Sequence, residues 1–380
     1  MVLYFHSQGY SPASVGVILA LNSVIPLLFA MPAGGFIDRI GTRKAVLIGS
    51  LLCTASGLLY VLGGAKGMLP FFLLGQFMNG VGALLCWGAL QASAAIQANQ
   101  WRALGKGDHI LSNFAFVNSL AQLSGPVLGG IVSDKDGYVS VFMIYILLCL
   151  LALGNALLFP ATAKSGGRAG EGAGAKPADL RFWNSYASGF SLMKSNRPFF
   201  IAMVLNGILF VLVDLRGTFL PVYFSTGGLS NTEVGGLLSI SGLAAVMIRP
   251  FVGSLLKHIG HRWLIFICIV SGGVCLMGLS FYPPFWFMAV IIFLWGICTG
   301  VNQPIALIMV ANTVRQQEQG MGMSIRTMAN RGVQVVNPVV MGGLSGIFGL
   351  AVGFGIVGAV MLLAALTYIY RKNGSFSVDL

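Results

Sequence analysis

Asp214 and Arg216 are the two charges set deep within the otherwise apolar run 198–224. A charge at the centre of a membrane-spanning helix costs at least ~2.5 kcal/mol on insertion scales, so both residues are candidates for contact with a solute or a proton. Two positions apart, they point about 200° from each other on a helix and cannot easily pair, so each needs its own partner. They stand about 24 to 27 Å from the start of the run, which leaves contact with the headgroups at the opposite face as the alternative.

Uncharged polar residues recur at the centres of other apolar runs: Asn22, Gln76, Asn79, Gln91, Asn118, Gln122, Asn206, Asn302 and Gln303. Some are expected to be interhelical hydrogen bonds, worth about 0.6 kcal/mol each. Asn22, Gln76, Gln122, Asn206, Asn302 and Gln303 are the ones assigned here to a polar pathway. Asn302 and Gln303 are adjacent, beside Pro304, so they cannot share one face and at least one is expected in a cavity. Trp87 and Trp295 lie mid-run; stacking on a planar solute and plain packing are both open to them. Arg326, Asn330, Arg331, Gln334 and Asn337 form a polar stripe at helical spacing that must face protein or water.

No covalent chemistry is suggested. The six cysteines lie inside apolar runs without CxxC spacing, which reads as buried thiols, and there is no metal-ligand cluster or Walker motif. Catalytic residues, metal sites, cofactors and an enzymatic activity are therefore not expected.

The elements that must position these residues follow from composition. Of 380 residues, 56% are hydrophobic and 8% charged, against roughly 25% charged in a water-soluble domain. The net charge of +12 is spread as ones and twos between apolar runs, which fits membrane loops and excludes a nucleic-acid patch. Eleven runs are long enough to span a bilayer: 12–36, 44–63, 68–95, 110–133, 138–160, 198–224, 232–255, 263–282, 286–312, 322–346 and 348–370. Basic residues concentrate in alternate connections, which places those connections and the C-terminus in the cytoplasm and Met1 outside.

The frame Gly34-xxx-Asp38-Arg39-x-Gly41-x-Arg43 returns as Gly253-xxx-Lys257-His258-x-Gly260-x-Arg262, and with the same shift Tyr4 falls on Tyr223 and Gly9 on Gly228. The chain is thus two copies of one unit. Because residues 1–11 match the outer end of the run 198–224, the first unit is expected to lack its opening span, an ancestor of twelve spans having lost its first. The expected division is an N-terminal bundle over 1–160, a cytoplasmic linker with an interfacial helix over 161–197, and a C-terminal bundle over 198–380.

Two half-bundles joined by a cytoplasmic linker, with the Gly34 to Arg43 elbow after the second span, resemble the major facilitator superfamily, a family of parallel repeats. Gly125-Pro126-Val127-Leu128-Gly129-Gly130 looks like the Gly-Pro-x-x-Gly-Gly signature of its exporter and antiporter branch. Pro126 should kink the helix, while Gly125, Gly129 and Gly130 admit a close neighbour. The resemblance implies an all-α polytopic fold of two pseudo-symmetric bundles, about eleven spans, in the plasma or inner membrane. The function it implies is proton-coupled efflux of a small organic substrate by a monomer working in the lipid bilayer. The alternatives are an uptake symporter or facilitator of sugars or organic acids, or a truncated receptor or scaffold that does not transport. Gly34, Asp38, Arg39, Arg43, Arg102, Arg326 and Arg331 are then candidates for a cytoplasmic gate. Two positions depart from the pattern: Gln76 stands where the drug-efflux branch carries Arg, and Lys257 where the first elbow has Asp38.

Overall fold

Within lipid a backbone finds hydrogen-bond partners only in its own helix or in a closed barrel. The computed structural model describes residues 1–101, 107–158, 182–314 and 319–370, and among these it is helical with no strand. In chain order the helices are α1 (Val2–Ser7), α2 (Pro12–Ile40), α3 (Thr42–Lys66), α4 (Leu69–Trp101), α5 (Gly107–Leu158) and α6 (Phe182–Ser195). There follow α7 (Arg197–Thr226), α8 (Asn231–Ile248), α9 (Val252–Ile259), α10 (His261–Leu279), α11 (Phe285–Thr313), α12 (Gln319–Phe348) and α13 (Leu350–Tyr370).

Among the described residues, nine segments are long and apolar enough to cross a membrane. One of them, Phe116–Leu158, is two spans in series, because Gly137 breaks α5 with φ 80° and ψ 171°. α12 has a span's length but carries the polar stripe, so its mean apolarity is low. With those two additions, the spans match the eleven apolar runs of the sequence. The amphipathic stretch after the linker is α6.

The repeat is written in the backbone. Gly9 and Gly228 have φ 77° and 84°, and Gly41 and Gly260 have φ 84° and 79°, a left-handed conformation that only glycine adopts freely. Each pair stands at the same place in its copy. Tyr4 and Phe5 pack edge to face with centroids 5.6 Å apart, and Tyr223 and Phe224 do so at 5.7 Å. The Ser7 hydroxyl donates to the Tyr4 carbonyl at 2.8 Å and the Thr226 hydroxyl to the Tyr223 carbonyl at 2.7 Å. α8 begins with a capping box, Ser230 Oγ accepting from the Glu233 N–H and Glu233 accepting from the Ser230 N–H; at the start of α2, Ser11 Oγ accepts from the Ser14 N–H.

Two compact units are present. In one, the described residues of Leu21–Ala121 and Val132–Ser191 pack α3 against α4 around Ile37, Ala45, Val46, Leu85, Ala89 and Ala156. The other comprises Met1–Ala20, Gln122–Ile131 and the described residues from Leu192 onward. Its centre is α7, where Phe199, Leu212, Leu215, Phe219 and Tyr223 are fully buried and which packs against α1, α11 and α12.

Candidate functional site

α7 and α12 are in register along their length. Asn206 Nδ2 donates to Asn330 Oδ1 at 2.7 Å, and Asn337 Nδ2 donates to Asp214 Oδ2 at 2.6 Å. The separations, eight residues on α7 and seven on α12, are those of parallel helices packed side by side. Asp214 is only 8% exposed. It lies twelve residues before the end of α7 at Thr226, about 18 Å in. Asp214 and Arg216 do not pair. Arg216 turns to the other side of α7, where its guanidinium donates to Ser241 Oγ on α8 and to Gln122 Oε1 on α5, both at 3.4 Å.

Just beyond these groups, helices of the two copies cross at glycine. A side-chain carbon on Gly16 would stand 2.2 Å from the Pro338 carbonyl oxygen, and one on Gly235 would stand 2.3 Å from that of Pro126. One on Gly130 would stand 2.3 Å from the Asn231 oxygen, and one on Gly342 would stand 3.0 Å from the Pro12 oxygen. Only hydrogen fits at Gly16, Gly130 and Gly235, while Gly342 leaves slightly more room, and helices in close contact gain dispersion and Cα–H···O contacts. The two crossings are equivalent. Gly16 and Pro12 correspond to Gly235 and Asn231 under the shift of 219, while Pro126 and Gly130 correspond to Pro338 and Gly342 under a shift of 212. Gln122 lies one turn from Pro126, and Asn337 is next to Pro338, so each crossing adjoins a mid-span polar group. The expectation for the glycine motif is corrected in part. Gly130 takes the close contact, whereas a side-chain carbon on Gly125 or Gly129 would meet nothing within 4 Å.

In the other unit the polar residues form a neutral network. Asn79 Nδ2 donates to Asn22 Oδ1 at 3.2 Å, the Tyr145 hydroxyl to Asn79 Oδ1 at 2.7 Å, and the Tyr60 hydroxyl to Gln76 Oε1 at 3.1 Å. Tyr60 and Tyr145 lay beyond the sequence reading, because a tyrosine in an apolar run looks like core. Trp87 is partly exposed beside Phe114, with centroids 5.7 Å apart. Trp295 is fully buried and its Nε1 donates to the Leu212 carbonyl at 3.1 Å, a packing role that settles the choice left open for it. Asn302 is buried with its Nδ2 unpartnered, and its neighbour Gln303 is exposed.

The elbow arginines have a specific partner. Arg43 donates to the Leu157 carbonyl at 2.7 Å and Arg262 to the Ile369 carbonyl at 3.2 Å. Each caps the last turn of the helix that closes its copy, where unsatisfied carbonyls gather. Arg331 donates to Gln334 Oε1 at 2.8 Å, within its own helix, and Arg326 Nε is buried without a hydrogen-bond partner. Arg39 is exposed; the surroundings of Gly34, the side chain of Asp38, and Arg102 altogether lie outside the described residues. The six cysteines are free thiols.

The sequence matches the model of the Major Facilitator Superfamily over residues 1–281 and 215–375. It is similar to "Multidrug resistance protein MdtG" of Salmonella choleraesuis (strain SC-B67), with 24% identity over 365 residues, 92% of this chain and 83% of that protein. It is also similar to "Multidrug resistance protein 2" of Bacillus subtilis (strain 168), 21% identical over 270 residues, 70% of this chain and 63% of that protein. Among solved structures, the fold is similar to that of the nucleoside transporter NupG, with TM-score 0.75 and 13% identity over 97% of this chain and 93% of that one. It is likewise similar to a POT family transporter in complex with 5-aminolevulinic acid, with TM-score 0.74 and 15% identity over 96% and 88%. Identity this low speaks for the fold alone. The repeated helical units, the glycine crossings and the family match together make this chain, an all-α multi-pass membrane protein and not an enzyme, a member of the major facilitator superfamily.

Proposed function

We propose that the protein is a secondary transporter that exports small organic molecules by alternating access, driven by the proton gradient. In this reading the working halves are residues 1–160 and 198–380, tethered by 161–197, in a monomer of the plasma or inner membrane. The basic connections and the C-terminus face the cytoplasm. The observation that carries the reading is the pair of equivalent glycine crossings, each adjoining a mid-span polar group, Gln122 with Arg216 at one and Asn337 with Asp214 at the other. Two helix pairs that approach backbone to backbone at glycine suit a face that opens and closes around a central site. Gly34, Asp38, Arg39 and Arg102, with Arg326 and Arg331, would then form the cytoplasmic latch. Asp214, a carboxylate held by one amide at mid-depth, is the candidate proton carrier.

Export is favoured by the names of the sequence relatives, both multidrug resistance proteins. The test is the purified chain in proteoliposomes loaded with a panel of fluorescent organic substrates. With the lumen alkaline and the bath acidic, protons entering should drive loaded substrate out in exchange, and collapsing the gradient should stop the flux. Flux indifferent to the gradient would remove proton coupling. Accumulation on the basic side would replace export by uptake.

A further inference from the structure

Among the described side chains, the charges buried in the spans are unbalanced. Arg216, Arg249, Arg326 and Arg331 are half-buried there, and the buried acid is Asp214. All belong to the unit centred on α7, whereas the polar network of the other unit, Asn22, Gln76, Asn79, Tyr60 and Tyr145, is neutral. Asp214 does not neutralise an arginine, because its described partner is the amide of Asn337. Among the described residues, Arg216, Arg326 and Arg331 form no ion pair. Arg216 has two long contacts to neutral oxygens, Arg331 has one to Gln334, and Arg326 Nε has none. Arg249 lies near enough to Arg216 for their charges to repel.

The register of α7 on α12 orders these cations in depth. Taking the Asp214–Asn337 contact as the reference level, Arg216 stands about 3 Å to one side, Arg331 about 9 Å to the other and Arg326 about 16 Å. The cations thus run over about 20 Å of a hydrocarbon core about 30 Å thick. Arg216, Arg326 and Arg331 are half-buried, so none of the three is stranded in a sealed core. A guanidinium out of bulk water is costly unless an anion or strong acceptor compensates it, and its planar fork matches carboxylate, phosphate and sulfonate groups in two-point contact. Such groups at successive depths attract anions and repel cations.

We propose that the molecule carried is an organic anion, drawn in and held through its carboxylate, phosphate or sulfonate group by the half-buried span arginines Arg326, Arg331 and Arg216. This rests on the transporter reading and gives it a substrate class. The test uses the full chain in detergent and three probes of one shape: phenylbutyrate, its neutral amide, and the cation phenylbutylamine. The anion should raise the thermal unfolding midpoint, while the amide and amine leave it unmoved. Arg216→Gln and Arg331→Gln should each weaken anion binding about tenfold, the worth of one charge-assisted contact, and the lysine variants less. The comparison of probes on the unaltered chain decides the charge preference even if a glutamine variant does not fold. Stabilisation by amine or amide equal to that by the anion, or anion binding undiminished in both glutamine variants, overturns the proposal. Flux of the three probes in proteoliposomes separates the two readings. Anion binding without flux of any probe would count against transport and leave the anion site standing, whereas flux of the amine or amide without that of the anion would do the reverse.

Discussion

Replacing Gly130 with alanine tests the crossing between α5 and α8 with a single methyl group. The added carbon would lie 2.3 Å from the backbone oxygen of Asn231 and 2.9 Å from its carbonyl carbon. Ordinary contact begins near 3.4 Å, so the helices must separate locally by about 1 Å, and overpacking of this kind costs roughly 1–3 kcal/mol. The opposing atoms are main chain and cannot rotate away. Gly125 and Gly129, in the same motif and helix, offer the control, since a methyl there meets nothing within 4 Å and alanine favours the helix by up to about 1 kcal/mol. The assay is the thermal unfolding midpoint of each purified variant in one detergent. Gly130→Ala should lower it clearly, while Gly125→Ala and Gly129→Ala hold or raise it. Equal midpoints for all three variants, or a loss at Gly129 as large as at Gly130, would refute the crossing geometry. Gly235→Ala, whose carbon would stand 2.3 Å from the Pro126 oxygen, should match Gly130→Ala in size because it strains the same crossing.

Asp214→Asn keeps an acceptor for Asn337 and removes the charge, so the chain should insert and fold while flux falls and its pH dependence flattens; an unchanged pH profile in proteoliposomes would dismiss Asp214 as the proton carrier. Arg43→Met and Arg262→Met should each cost about 0.5–1.5 kcal/mol, the worth of one helix-end hydrogen bond, and a large difference between them in thermal midpoint would argue against equivalent caps. A double-mutant cycle on Asn206→Leu and Asn330→Leu should give a coupling near 0.6 kcal/mol, as for other interhelical hydrogen bonds in membranes. Zero coupling would deny the contact.

What the sequence made legible was whatever depends on composition and local spacing. The eleven apolar runs, the glycine-marked elbow and the shift of 219 all follow from residues near one another in the chain, and the positive φ values at Gly9, Gly41, Gly228 and Gly260 carry the same pattern. The shift of 212 relating Pro126 to Pro338 and Gly130 to Gly342 went unread, because the copies differ in length between their crossings and this stretch falls out of the register of 219 set by the elbow. Partners were beyond reach. That Asp214 meets Asn337 across 123 positions, and Arg216 meets Gln122 across 94, depends on helix rotation and depth, which periodicity does not fix. For the same reason the three glycines of the Gly-Pro motif looked equivalent, although one faces a neighbouring backbone and two do not.

The reciprocity of the crossings bears on where such a chain comes from. A residue of the first copy meets its opposite number's partner in the second, and the second returns the same contact: Gly16 to Pro338, Gly235 to Pro126. That exchange is the mark of an isologous interface, the self-complementary surface by which two identical subunits form a twofold dimer. A single ancestral copy would therefore already have owned both sides of the joint. Covalent fusion then freed each side to diverge, as at the elbow, where Lys257 stands in the second copy at the place of Asp38 in the first.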